Sequence, residues 1–217
     1  MGSSGSGKST GMRNLDENEV GIFNVASKPL PFKKKLKKVD NATYEKIASS
    51  LITQEGKSLP FNMYVIDDSQ YLMCFESFNR INEKGYEFVE NGKHFYDVLK
   101  FVIDVLPSDV IVYFLHHTDK NEDGVIKAKT IGKMLDNQLT LEGLFSIVLL
   151  ADANDGKYKF ITQSNGMTTA KSPMDMFEAE IDNDLKFVDD TIREYWDLPK
   201  RKKLQVATKT NTTKESK

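Results

Sequence analysis

Cysteine is almost missing from this chain of 217 residues: Cys74 stands alone. That excludes an intrachain disulfide framework and suits a reducing cytosol. Arginine is scarce as well. Arg13, Arg80, Arg193 and Arg201 are scattered, which ranks lowest a small-molecule kinase with an arginine-rich lid over its phosphates. Of three histidines, His116 and His117 are adjacent, but no cysteine or third histidine lies near them, which disfavours a zinc site. No apolar run approaches the ~20 residues that cross a bilayer. The N-terminus lacks a basic-then-apolar signal pattern.

What is present suffices for a core. Hydrophobic residues make up 39% and charged residues 29%, too apolar a mixture for a wholly disordered chain. The net charge of −2 names no partner, but it hides an asymmetry. Residues 200–217 carry seven Lys or Arg against Glu215 alone, a charge of +6, so the rest sums to −8. This tail is Thr- and Lys-rich and reads as disordered, which divides the chain into a core over 1–198 and a basic tail over 199–217. A second basic run, Lys28 to Lys38, holds six lysines around Pro29-Leu30-Pro31-Phe32 and reads as a loop.

Apolar periodicity predicts alternating elements. Helices are expected over Lys8–Asn14, Thr43–Thr53, Phe95–Leu106 and Asp184–Tyr195. Strands are expected over Val20–Val25, Met63–Ile66, Val110–Leu115 and Ile147–Ala151. Val110–Leu115 is continuously β-branched and aromatic, typical of a strand buried on both faces. Asn154-Asp155-Gly156 turns the chain into Tyr158–Thr162 as a hairpin. The expected class is α/β: a mainly parallel sheet flanked by helices, with a late antiparallel hairpin.

Gly2-Ser3-Ser4-Gly5-Ser6-Gly7-Lys8-Ser9 fits G-x-x-x-x-G-K-[ST] at every fixed position. Glycines let backbone N–H groups turn inward around phosphate oxygens, Lys8 can reach the β- and γ-phosphates, and the Ser9 hydroxyl can ligate Mg²⁺. Thr10 follows directly. The bland alternative is a Gly/Ser tag, but a tag needs no Gly-Lys-Ser-Thr leading into a helix and an apolar strand. A phosphate loop normally follows a buried strand, and only Met1 precedes Gly2, so the first strand is expected to be absent through trimming.

Met63-Tyr64-Val65-Ile66-Asp67-Asp68 is an apolar strand ending in two carboxylates. Asp67 would hold Mg²⁺ opposite Ser9, and Asp68 would orient or deprotonate water. Their plainer role is to cap the helical stretch that follows. Val110–Leu115 ends in His116-His117-Thr118, and either histidine could sense a γ-phosphate, with His117 as the catalytic candidate. Lys127, Lys129, Lys133 and Arg80 are candidates for a finger acting in trans in a homo-oligomer, though solvated charge is the commoner role.

Gly5-Ser6-Gly7-Lys8-Ser9-Thr10, Arg13-Asn14-Leu15-Asp16, Lys28-Pro29-Leu30-Pro31-Phe32, Ile66-Asp67-Asp68, Lys129-Thr130-Ile131-Gly132-Lys133-Met134-Leu135-Asp136 and Ala170-Lys171-Ser172-Pro173-Met174 with Phe177 together resemble the phage-encoded AAA/RecA-like P-loop ATPases. That group includes RecA-core single-strand annealing proteins. The likeness runs from Gly2 to about Trp196. It implies a RecA-like core, ATP with Mg²⁺, a role in phage DNA recombination, repair or replication, phage recombination or replication proteins as partners, and the bacterial host cytoplasm. By position it assigns roles to Lys8, Ser9 and Asp67, and less firmly to Asp68 and His117. Single-stranded DNA would meet the Lys28–Lys38 loop, where Phe32 could stack on a base, and the Lys200–Lys217 tail. A different class of function stays open: a nucleotide-dependent protein-interaction module with little hydrolysis.

Overall fold

The computed structural model describes residues 1–52, 58–83, 88–131 and 139–204. Its centre is a four-stranded, all-parallel sheet in the order β2-β1-β3-β4. The strands are β1 (Gly21–Asn24), β2 (Val39–Asp40), β3 (Met63–Asp67) and β4 (Ile111–Phe114). The α-helices are α1 (Tyr44–Leu51), α2 (Tyr71–Arg80), α3 (Phe88–Val105) and α4 (Leu185–Tyr195). A two-stranded ribbon pairs β5 (Thr118–Lys120) with β6 (Ile126–Ala128). A three-stranded antiparallel sheet joins β7 (Leu150–Asn154), β8 (Lys157–Ile161) and β9 (Glu180–Asp182). Among the described residues, no helix is long and apolar enough to cross a membrane.

Alternation along the strands sends side chains to two cores. From β1 and β3, Phe23, Tyr64 and Ile66 face one layer, with Ile47 and Leu51 of α1, Met73 of α2, and Phe95 and Leu99 of α3. Ile22, Met63 and Val65 face the other, with Met12, Leu15, Phe160 and the Leu185, Val188 and Ile192 stripe of α4. Burying each such side chain contributes about 1.5–3 kcal/mol. All five residues of β3 are buried, so the strand that ends in Asp67 is the most enclosed of the sheet.

The helix ends follow from their caps. Thr43 accepts from the Lys46 amide at the start of α1, and Asp184 accepts from the Lys186 and Phe187 amides at the start of α4. Thr53, where the first of these was expected to end, lies outside the described residues. α3 begins earlier than the expected Phe95, at Phe88.

The expected short helix after the glycines is a 3₁₀ helix of six residues, Ser9–Asn14. Two expectations need correction. β4 is only half-buried along its length rather than enclosed on both faces. Among the described residues, only β3 pairs with it over Ile111–Phe114, and Gly2 bridges its extension at His117. Finally, β7 begins at Leu150 rather than Ile147. Val148 makes an isolated bridge to Lys171, and Met1 lies beside Leu149 and Ala151.

Met1 and Gly2 connect the two main sheets. The Gly2 amide donates to His116 O at 3.0 Å, the Met1 amine to Leu149 O at 2.7 Å, and the Ala151 amide to Met1 O at 2.7 Å. The antiparallel hairpin is therefore joined to the parallel sheet through a two-residue segment and is not its hydrogen-bonded edge.

The first residues of the basic tail lie against the core. The Arg201 guanidinium pairs with Glu19 at 3.1 Å, Asp189 at 2.9 Å and Asp190 at 2.8 Å, and Lys203 pairs with Glu19 at 2.7 Å. The buried carboxylates of an otherwise acidic core attract these cations. Asp189, fully buried, also accepts from Arg193 at 2.7 Å and from the Tyr113 hydroxyl at 2.9 Å. Residues 205–217 lie outside the described residues.

Candidate functional site

The loop Gly2–Gly7 lies between the end of β4 and the β7–β8 hairpin. Two glycines are required by backbone conformation: Gly5 and Gly7 have φ of +79° and +90°. At Gly7 an added Cβ would also meet the Tyr158 ring of β8 at 2.5 Å. Ser3 and Ser4 are exposed, while Ser6 is buried with its hydroxyl unpartnered among the described residues. Thr10 is half-buried in the 3₁₀ helix.

Lys8 is buried and folds over the loop, its Nζ donating to Gly2 O and Ser3 O at 2.8 Å each. Burial lowers its pKa to about 8, against the opposing charges of Asp68 and Asp67. The ammonium therefore has two carbonyl partners, and a bound phosphate would replace them.

Asp67 is the last residue of β3, and its Oδ1 accepts from Ser9 Oγ at 2.8 Å. The loop and the acidic strand end, 58 residues apart, thus meet directly. Burial raises the Asp67 pKa and the neighbouring Asp68 charge adds to this, while Ser9 opposes it. An octahedral Mg²⁺ with bonds of about 2.0–2.1 Å holds adjacent ligands roughly 2.9 Å apart, so this oxygen pair fits two neighbouring positions of such an ion. Among the described residues, no group of three or more His, Cys, Asp or Glu could hold a metal. A Mg²⁺ here would draw its other ligands from phosphate and water.

Asp68 leaves the strand in the left-handed region, at φ 60°. The turn aims its carboxylate at two cations or donors. Lys28 Nζ lies 2.8 Å from Oδ2, and His117 Nε2 lies 3.3 Å from Oδ1. Burial alone would raise the Asp68 pKa, but the hydrogen bonds from His117 and Lys28 outweigh it and bring it down to about 2. Two adjacent carboxylates are thereby driven apart in proton affinity, the usual mark of different chemical roles.

The two histidines separate cleanly. His117 faces Asp68, with the Tyr71 ring set edge-on at 5.5 Å. His116 is buried behind the site. Its Nε2 donates to Lys129 O at 2.6 Å, and its Nδ1 accepts from Ser69 Oγ at 2.9 Å. Burial lowers its pKa to about 4, so it is neutral at ordinary pH and braces the chain after β4.

Lys28, which the sequence places only in the basic loop, belongs to the site: its ammonium reaches Asp68 and lies 5.0 Å from the Tyr71 ring centroid. Asn24, at the tip of β1 beside Asp67, holds that loop by donating to Lys28 O at 2.8 Å. The prolines after Lys28 signalled a turn but not its direction.

Other candidates are placed elsewhere. Phe32 packs partly buried against the second core rather than standing free to stack. Lys33, Lys34, Lys35 and Lys37 are exposed, Lys37 3.8 Å from Glu17. Arg80 is engaged by Glu76 and Glu83 at 3.2 and 2.8 Å. The Lys129 amide and carbonyl are held by His117 and His116, and Lys127 lies in β6. Lys133 falls outside the described residues.

No family model, curated protein or solved structure matches the chain.

Proposed function

We propose that the protein is a Mg²⁺-dependent, RecA-like P-loop ATPase that acts on phage DNA in recombination, repair or replication. The observation that carries this reading is the 2.8 Å contact between Ser9 and Asp67, with Lys8 buried beside it and Asp68 next in sequence. β4 pairs directly with β3 and leads into His117, which suits a group reporting on the γ-phosphate. Ser9 and Asp67 would hold Mg²⁺, which would neutralise developing phosphate charge when bound. Lys8 would exchange its loop carbonyls for phosphate oxygens. Asp68, ionised at neutral pH, would accept a hydrogen bond from the attacking water and orient it. The exposed lysines Lys33–Lys35 would supply contacts to single-stranded DNA.

One observation favours a second reading. Both Asp68 oxygens already have a partner, Lys28 and His117, which hold the carboxylate in place and weaken it as a base. A protein that binds ATP tightly and hydrolyses it slowly, presenting a surface to a protein partner, fits that clamp.

An ATPase assay on the chain and on Lys8→Ala and Asp67→Ala, with and without single-stranded DNA, tests both. DNA-stimulated turnover lost in both variants is the expected result. Tight ATP binding without turnover would support the second reading. No ATP binding by the unsubstituted chain at millimolar Mg²⁺ would overturn both.

A further inference from the structure

Two lysines converge on the end of β3, and they come from different segments. Lys8 belongs to the glycine-rich loop. Lys28 follows β1, and its ammonium lies 2.8 Å from Asp68 Oδ2, within the field of both Asp68 and Asp67. It is also near enough to Lys8 for the two cations to repel, which adds to the effect of burial in lowering the proton affinity of Lys8. Lys8, Lys28, Asp67 and Asp68 therefore enclose one small region, and their charges cancel.

The backbone under Lys28 is fixed, and its side chain is not. The Val25 amide donates to Asp67 O at 3.2 Å, which ties the end of β1 to the end of β3. Ser27 sits in the left-handed region, at φ 55°, and its hydroxyl accepts from the Asn41 amide at 2.7 Å. The buried Asn24 donates to Lys28 O at 2.8 Å and to Asp40 at 2.7 Å. Beyond this anchor the Lys28 side chain is 57% exposed, against 9% for Asp68. The carboxylate is thus enclosed while its cation stands on the solvent side. A flexible four-carbon stem lets the ammonium swing by several Å with no change in the main chain.

We propose that Lys28 is a second phosphate-binding cation, which leaves Asp68 for the terminal phosphate of ATP and so distinguishes ATP from ADP. This role rests on reading the Gly2–Ser9 loop as an ATP site. A terminal phosphate carries roughly two negative charges near neutral pH, more than a carboxylate. Set beside Ser9 and Asp67, it would meet the ionised Asp68 next in sequence, and the two would repel without a further cation between them. Lys28 removes that repulsion at short range and is drawn to the larger charge. Asp68 keeps its bond with His117 when the lysine moves. ADP lacks the terminal phosphate and leaves the Lys28–Asp68 pair as it stands. The exposed Lys33, Lys34 and Lys35 remain for nucleic acid.

Calorimetry with Mg²⁺ and either ADP or the non-hydrolysable β,γ-imido analogue of ATP tests it on the full chain, on Lys28→Ala, on Asp68→Asn and on the double variant. Lys28→Ala is expected to weaken binding of the analogue about 10-fold or more, and binding of ADP by less than about 2-fold. Retained ADP binding also reports that the variant is folded. The same split is expected when Lys28→Ala is added to Asp68→Asn, where no carboxylate remains at position 68 for the lysine to neutralise. Lys28→Arg, which keeps the charge, should retain most of the affinity for the analogue. In the Asp68→Asn background, equal losses for the two nucleotides, or no loss, overturn the proposal, because a purely structural Lys28–Asp68 pair gives that result. An unsubstituted chain that binds neither nucleotide overturns the ATP reading itself, and the role of Lys28 with it.

Discussion

In a 217-residue chain with a free amine at Met1, that amine makes the fold depend on pH over an unusual range, and its size can be worked out. The amine donates to Leu149 O away from water, with Lys8 lowering its proton affinity and Glu142 opposing, so that its pKa falls from an ordinary 8.0 to about 5. Between those values the unfolded chain binds a proton that the folded chain releases, so stability rises with pH. The penalty is fully present below pH 5, where about three pH units at about 1.36 kcal/mol each give roughly 4 kcal/mol. It has vanished above pH 8. His116 adds a second loss of the same sign, because burial takes it from 6.5 to about 4. Only the amine of these two titrates above pH 6.5, where it should contribute about 1.5 kcal/mol up to pH 8. The perturbation is acetylation of the amine, which removes the charge and keeps the N–H. The assay is urea unfolding from pH 5 to 8. The free-amine chain should gain more stability between pH 6.5 and pH 8 than the acetylated chain, in which Lys8, its pKa lowered to about 8, leaves only a smaller rise. Equal slopes above pH 6.5 would refute the reasoning.

Two substitutions probe other parts of the molecule. Gly7→Ala forces a Cβ into the Tyr158 ring and into φ +90°; it should cost about 1–3 kcal/mol and weaken ATP binding, read by unfolding and calorimetry. Adding Tyr158→Ala should recover only the steric part, because the backbone strain stays. Arg193→Ala removes the cation that binds Asp189 at 2.7 Å and Asn62 O at 2.7 Å, which should destabilise the fold by about 3–5 kcal/mol. A loss below about 1 kcal/mol would mean that Arg201 and the Tyr113 hydroxyl suffice for Asp189.

Much of the architecture was legible because its signals are local. The glycine–lysine–serine loop, the Met63–Asp67 run and the stripe of α4 each carry their pattern within one element. The sequence also set Asp67 and Asp68 at the end of a strand. It could not show that Lys28, 40 residues earlier, would close on Asp68, because that depends on the path of a proline-rich loop held by Asn24. Arg201 looked like part of a solvated run since its partners, Glu19 and Asp189, come from two distant segments. β4 misled in the opposite sense. Its composition describes a strand with neighbours on both edges, and among the described residues the four have one.

Asp68 also shows one residue under two opposed demands of the fold. At φ 60° its backbone sits where glycine is at ease and a side chain costs on the order of 1 kcal/mol. Against burial, the bonds from His117 and Lys28 bring its pKa down to about 2 and offset that cost at neutral pH. Glycine, the usual remedy for a left-handed backbone, would relieve the main chain at position 68 and leave Lys28 and His117 without their shared carboxylate.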